Sequence, residues 1–458
     1  MTMQAATKLL PRSTLPWVLA GVLCAGALSA GAALAGEPGR NGGAITLLGT
    51  IAVPTSLKPL HGWDISWLDA DTQLLYVADR SNRSVDVFNA STNTFVRAIT
   101  GGSTPFAGVA FNPATGAADN GRSGPNGVVV SGHWLFVTDA NSRVVSIDLR
   151  TDQIVPGGDV STGGADALRA DELAYDPDHG VLLVANNADD PPFVTLIKVN
   201  RTNGQLTVGA RIAFDPANNG FDATNGAEQP QYHRGKFYLS IPEVDCPRKI
   251  GNPPVDNPVC GGSFADGGVV TIDPNSSGKI EKLSHVKFCQ PAGLTVGPND
   301  DLLIGCSQAF DTAGNAWTAS DPHTAAPISV IMDANTGAID TIVAGVSGND
   351  EVWFNRGDGR YYLAARNQPG GPVVGVIDAE SQSLVQVVPT LNVGGKNCTL
   401  NPLNCSAAFP AGTAHSLAVD PHSNHVLVPL AANNVFPQCL NGCVAVYGTP
   451  RGEHDDEE

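Results

Sequence analysis

Apolar residues in this chain come in short bursts separated by polar turns. The repeating unit is an apolar run, a turn, a second run ending on a small or acidic residue, and a third closing on Asp or Asn. The third runs are Val85 to Asn89, Val144 to Asp148, Thr195 to Asn200, Val269 to Asp273, Ile328 to Asp333 and Val373 to Asp378, with Cys443 to Tyr447 a last version lacking the Asx. The first runs recur as Ile65 to Trp67, Val128 to Val130, Leu173 to Tyr175, Gln231 to Tyr232, Leu294 to Val296, Val352 to Phe354 and Leu417 to Val419. Turns such as Asp176-Pro177-Asp178-His179-Gly180 and Asn355-Arg356-Gly357-Asp358-Gly359 separate first from second runs. Beyond the first 35 residues no long stretch has helical apolar periodicity, and Gly and Pro punctuate most strand ends.

Units of roughly 40 to 60 residues made of strands and turns are the pattern of β-propeller blades. The expectation is an all-β, seven-bladed β-propeller with insertions in the fourth, fifth and seventh blades. Ile45 to Pro54 reads as a lone strand, expected to pair with the last blade and protect its edge. A parallel solenoid or stacked sandwiches fit the spacing less well. No linker divides residues 36–450, which read as one domain followed by an acidic tail at 451–458.

Residues 1–35 carry Lys8 and Arg12, an apolar run from Leu15 through Leu34, and a small-residue site at Ala33-Leu34-Ala35. This is the pattern of a secretory signal peptide, with a membrane anchor as the competing reading. It predicts a secreted or periplasmic protein with no membrane span after cleavage. The formal charge of −18 over the whole chain becomes more negative once Lys8 and Arg12 leave. Such a surface repels nucleic acid and anionic lipid and suits cations.

Cys24 lies in the signal segment. The other eight cysteines are an even number in an exported chain, which points to disulfides. Proximity favours Cys246 with Cys260, Cys289 with Cys306, Cys398 with Cys405 and Cys439 with Cys443, although spacing alone leaves other connectivities open. Their expected task is stapling loops in the half of the chain with the longest insertions. A zinc site is the alternative, disfavoured by the lack of close paired spacing.

In a propeller, the residues just before each innermost strand converge on the central axis. Here they are Asp64, Asn126, Asp171 with Glu172, Glu228 with Gln229, Pro291 with Ala292, Asp350 with Glu351, and His415. Oxygen ligands on one axis suit a hard cation such as calcium. Equally, Asp and Asn are ordinary turn formers. Arg366, at the end of a second run, could orient a carboxylate, and His61 is a candidate second channel histidine. No Gly-x-Ser-x-Gly elbow, phosphate-cradling Gly loop or Cys-x-x-Cys-His occurs.

The stretch Gly124-Pro125-Asn126-Gly127-Val128-Val129-Val130, followed by Trp134 to Asp139 and Val144 to Asp148, resembles the Pro-Asn-Gly blade of the SMP-30/gluconolactonase-like enzymes. At the level of architecture the chain resembles the wider YVTN and gluconolactonase-like superfamily. The resemblance implies a central divalent cation ligated by Asn126. The chain departs from those enzymes in having His61-Gly62-Trp63-Asp64 where they have Glu-Gly-Pro, and seven blades where they have six.

Two functions follow as expectations. One is a divalent-metal-dependent hydrolase or lyase acting on a small lactone or ester-like substrate in the channel. Asp64, Asn126, Glu172 and Glu351 would hold calcium or another divalent cation, Asp350 or Asp171 would act as general base, and His415 would protonate a leaving group or serve as a lyase base. Arg366 and His61 would contact substrate. The other is a non-enzymatic binding propeller recognising a protein or glycan through disulfide-stapled loops. Either is expected to be a monomer.

Overall fold

The computed structural model describes residues 43–164, 167–244, 266–318, 325–368, 371–390, 415–433 and 435–450, together with the backbone of 249–250 and 255–256. The signal segment, the acidic tail, and Cys246, Cys260, Cys398 and Cys405 lie outside the described residues.

The second run of each unit folds as a strand buried along nearly its whole length, as in Trp134–Asp139, Val181–Asn186 and Arg360–Ala365. Burial on both faces explains why these segments read as continuous apolar runs instead of alternating. Each such strand sits inside a four-stranded antiparallel blade. Blade 1 runs Trp63–Asp69, Leu74–Asp79, Ser84–Asn89, Thr94–Ile99 from axis to rim. Blades 2 to 7 have innermost strands Val128–Ser131, Leu173–Asp176, Pro230–His233, Cys289–Val296, Val352–Asn355 and Ala418–Asp420. Each innermost strand packs beside the next, and the seventh packs beside the first. The protein is a β-propeller. Helix is confined, among the described residues, to Pro216–Asn219 and a 3₁₀ turn at Pro298–Asp300.

The outermost strands were not anticipated. Thr94–Ile99, Ser383–Pro389 and their equivalents alternate exposed and half-buried residues on the periphery, so they carry no run of apolar residues. In blade 7 the outermost strand is Thr46–Ala52, which pairs antiparallel with Cys443–Gly448, as expected from the lone N-terminal run. Blades 4 and 5 are further joined by a parallel bridge between Asp266 and Cys289.

Apolar packing lies between blades. Seven clusters of buried side chains each draw on two neighbouring blades, including one that joins Trp63, Leu75 and Val77 of blade 1 to Ala418, Leu427 and Val444 of blade 7 around Ile51. The disulfide Cys289–Cys306 has both cysteines fully buried on adjacent strands of blade 5, so it braces a blade and corrects the expectation of a loop staple. Cys439–Cys443 closes the short segment leading into the last strand.

Two glycines set how closely blades approach at the axis. A Cβ on Gly127 would lie 2.5 Å from the Asp171 carbonyl oxygen, and one on Gly293 would lie 2.6 Å from that of Asp350. The backbone bearing each of these acidic residues therefore rests on a glycine of the preceding blade.

Ile51 is 2% exposed in the cluster between the first and last blades. Ile51→Ala is expected to cost about 2–5 kcal/mol, read as a lower denaturation midpoint with unchanged slope in a urea titration.

Candidate functional site

The residues preceding the innermost strands do meet at one mouth of the central channel. Asp64, Asp171, Glu172, Glu228, Asp350 and His415 line a polar cavity of about 340 Å³, with Arg169 and Arg366 beside them. The mouth also collects the ends of the second strands, because an antiparallel neighbour finishes where the innermost strand begins. That is how Arg80, which follows Leu74–Asp79, and Arg366, which follows Arg360–Ala365, reach the axis.

Sequence reasoning found the acids and missed two of the three arginines. Arg80 is buried and donates from Nε to Asn126 Oδ1 at 3.0 Å and from a terminal nitrogen to the same oxygen at 2.7 Å, while also pairing with Asp64. Arg169 bridges Asp64 Oδ2 at 3.3 Å and Asp171 Oδ2 at 2.7 Å, and its Nε donates to Asn187 Oδ1 at 3.1 Å. Arg366, the one exposed enough to reach solvent, lies 3.2 Å from Asp350 Oδ2. A signal existed: Arg80 and Arg169 each stand within two residues of a site carboxylate or strand-end Asp in the sequence.

His415 sits between two carboxylates, with Nε2 2.6 Å from Asp64 Oδ1 and Nδ1 2.9 Å from Asp350 Oδ2. Arg366 also touches Nδ1. With a proton on Nδ1 the ring donates to Asp350; without it, the ring accepts from Arg366. Burial and Arg366 oppose charge on the imidazole, but Asp350 and Asp64 outweigh them and raise its pKa.

Environment separates the carboxyls. Burial opposes ionisation of Asp64, yet Arg80, His415 and Arg169 hold it well below the usual range. Against the same desolvation, Arg366 and His415 bring Asp350 down to about 2, so it is an ion pair partner and a poor base. Asp171 goes the other way: desolvation lifts it to about 7 although Arg169 is adjacent. Desolvation, with Asp171 and Asp350 nearby, lifts Glu228 to about 8. Glu228, which precedes the innermost strand of blade 4, thus lines the cavity as a carboxyl that keeps its proton well above the usual range.

Asn126 holds blades together. Its Nδ2 donates to the Ala170 carbonyl at 2.6 Å, its backbone carbonyl accepts from Ile65 N at 3.2 Å, and its Oδ1 is taken by Arg80. The Asp64, Asn126, Glu172 and Glu351 set therefore does not fit a divalent cation in this arrangement, since a guanidinium occupies the oxygens of two members. Among the described residues no group of three or more His, Cys, Asp or Glu is arranged to hold a metal. Glu172 lines both this cavity and the next one along the channel, which Glu351 also lines. Pro291 and Ala292 contribute backbone to blade 5, and Gln229 Oε1 accepts from Leu294 N at 2.9 Å and Val352 N at 3.1 Å. His61 is exposed and lines a depression beside the site, with Arg80 and Phe111, and not the cavity that holds His415. His179 and His233 are turn residues paired with Asp176 and Asp300.

No protein-family profile matches the chain, and no curated protein matches it. Among solved structures, the chain is similar to hydrazine synthase from Kuenenia stuttgartiensis, a β-propeller-containing protein, with a TM-score of 0.54 and 14% identity over 86% of this chain and 96% of that one. At that identity the likeness concerns the fold alone. These comparisons support a β-propeller fold and give no family-level support to the resemblance to YVTN or gluconolactonase-like proteins.

The raised carboxyls make stability depend on pH. Between the ordinary carboxyl value of 4.5 and about 8 the folded protein keeps a proton on Glu228 that the unfolded chain releases. Unfolding then releases a proton, so this group's contribution to stability is present at low pH and is lost as pH rises through that window. Glu228→Gln is expected to flatten the fall in unfolding free energy between pH 5 and 8, measured by urea titration at several pH values.

Proposed function

We propose that the protein is an exported β-propeller that binds a small lactone or ester-like molecule at the polar mouth of its channel and cleaves it by proton transfer. The observation that carries this reading is the gathering of Asp171, Glu228, Arg169, Arg366 and His415 around one cavity of about 340 Å³, a volume suited to a small molecule. The two disulfides fit an oxidising compartment, and among the described residues no helix is long and apolar enough to cross a membrane.

The roles follow from protonation state. Near pH 7 to 8 Asp171 is partly ionised and Glu228 still holds its proton, a base and an acid in one cavity. Water attacking the substrate carbonyl gives its proton to Asp171. The carbonyl oxygen, gaining negative charge, is met by Arg366, which Asp350 and His415 hold at the mouth. When the C–O bond breaks, the leaving oxygen takes the Glu228 proton. Asp64 and Asp350 remain ionised and hold Arg80, Arg169, Arg366 and His415 in place. The resting cost of burying these charges is offset because each is paired.

The test is turnover of a panel of small lactones and aryl esters, followed by acid release. Activity is expected to rise with pH as Asp171 ionises near 7 and to fall as Glu228 ionises near 8. Glu228→Gln should lower kcat by about 10²–10⁴-fold, and Arg366→Met, which removes the contact to the developing oxyanion, should lower kcat and kcat/KM together. Lack of turnover across the panel, or turnover indifferent to Glu228→Gln, rejects the enzymatic reading in favour of a binding propeller.

A further inference from the structure

We propose that the opposite end of the channel is a second site, which binds a small organic ammonium ion carrying at least one N–H. There a cavity of about 320 Å³ is walled by Trp67, Tyr175, Tyr232 and Trp353 and reaches Glu172 and Glu351. The four aromatics come from the innermost strands of blades 1, 3, 4 and 6. Trp67 and Trp353 meet edge to face, with ring centroids 5.2 Å apart and planes at 80°. Aromatic faces around a pocket attract a cation with an apolar skin more strongly than they attract a hydrated metal ion.

The acids decide the chemistry further. Glu351 is fully buried. One of its oxygens accepts from the Ser416 hydroxyl, whose oxygen is itself 2.6 Å from Ser66 Oγ; the other, Oε1, has no hydrogen-bond partner. A buried carboxyl oxygen without a partner is costly, and it lines this cavity. An ammonium N–H would satisfy it while the alkyl part packs on the indoles. Calcium would need six to eight oxygens, and the walls supply apolar rings instead. At the mouth, the Tyr232 hydroxyl donates to Asp178 Oδ2 at 2.9 Å, which adds negative charge where a cation would enter.

Linkage gives the site a second signature. Glu172 is raised well above the usual range by burial and then by Glu351, and Glu351 by burial with Asp350 and Asp64 nearby. Both therefore hold their protons to higher pH than an ordinary carboxyl. A bound cation favours the ionised form, so binding should release protons and tighten as pH rises.

The experiment is a titration of the full-length protein with n-butylammonium chloride at constant ionic strength, followed by tryptophan fluorescence, with tetramethylammonium and calcium chlorides as comparisons. Expected is a saturable change with n-butylammonium, at least tenfold weaker with tetramethylammonium, and weakened at least tenfold by Glu351→Gln and by Trp67→Ala. Calorimetry of the wild-type protein in two buffers of different ionisation enthalpy should show proton release, and this arm decides the matter if either variant fails to fold. No saturable response, a response equal in folded Glu351→Gln, binding without proton release, or calcium saturating the same change at lower concentration than n-butylammonium would overturn the proposal. No arm depends on turnover at the other mouth.

Discussion

Every blade must bury both of its faces, and that requirement governs the rest of the molecule. A single sheet with two apolar faces is insoluble alone; placed side by side, each blade face finds its complement on the next blade, giving seven apolar interfaces among the described residues. This arrangement then forces the starts of seven strands toward one axis. The polar mouth with its acids and arginines is a by-product of that geometry before it is anything else. Buried charge becomes tolerable there because several blades each deliver one member of an ion pair network.

That network also works as mechanical stitching. Arg80 links blade 1 to Asn126 of blade 2, Arg169 ties Asp64 to Asp171, and His415 joins blades 7, 1 and 6. Below it, Gln229 and Ser416 repeat the pattern with neutral hydrogen bonds: Gln229 reaches blades 5 and 6, and Ser416 reaches Ser66 and Glu351. The channel is thus layered, ionic at one mouth, hydrogen-bonded in the middle and aromatic at the other end. The ionic and hydrogen-bonded layers each draw on equivalent positions of successive blades, whereas the aromatic end combines two, Trp67 and Trp353 standing three residues after the mouth position and Tyr175 and Tyr232 four.

Much of this layering was legible in the sequence. The innermost and second strands fall where apolar runs meet Asx turns, and the acids converge as their position before those strands implies. What escaped is physically understandable. The outer strands face solvent on alternate residues and leave little hydrophobic trace. Arg80 and Arg169 were missed because backbone position tells where a side chain starts, while a long guanidinium side chain ends several ångströms away. Once those cations are in place, the repulsion that argued for a central metal is relieved by the protein itself. Asn126 shows the limit of a short motif: Pro-Asn-Gly is present and axial, but here its amide serves Arg80 and Ala170. The aromatic end was readable in principle, since Trp67, Tyr175, Tyr232 and Trp353 each fall three residues after an axial polar residue at Asp64, Glu172, Gln229 and Asp350.

The pairing of Thr46–Ala52 with Cys443–Gly448 places an early segment and a late one side by side in one sheet. Contacts of such long sequence separation are slow to form, because the loop entropy is spent before the pairing returns anything. During synthesis Thr46–Ala52 emerges long before its partner and stays an unpaired edge until the last blade appears. The ring therefore has a seam whose completion depends on the final strand being made, and six blades formed in order would still leave it open.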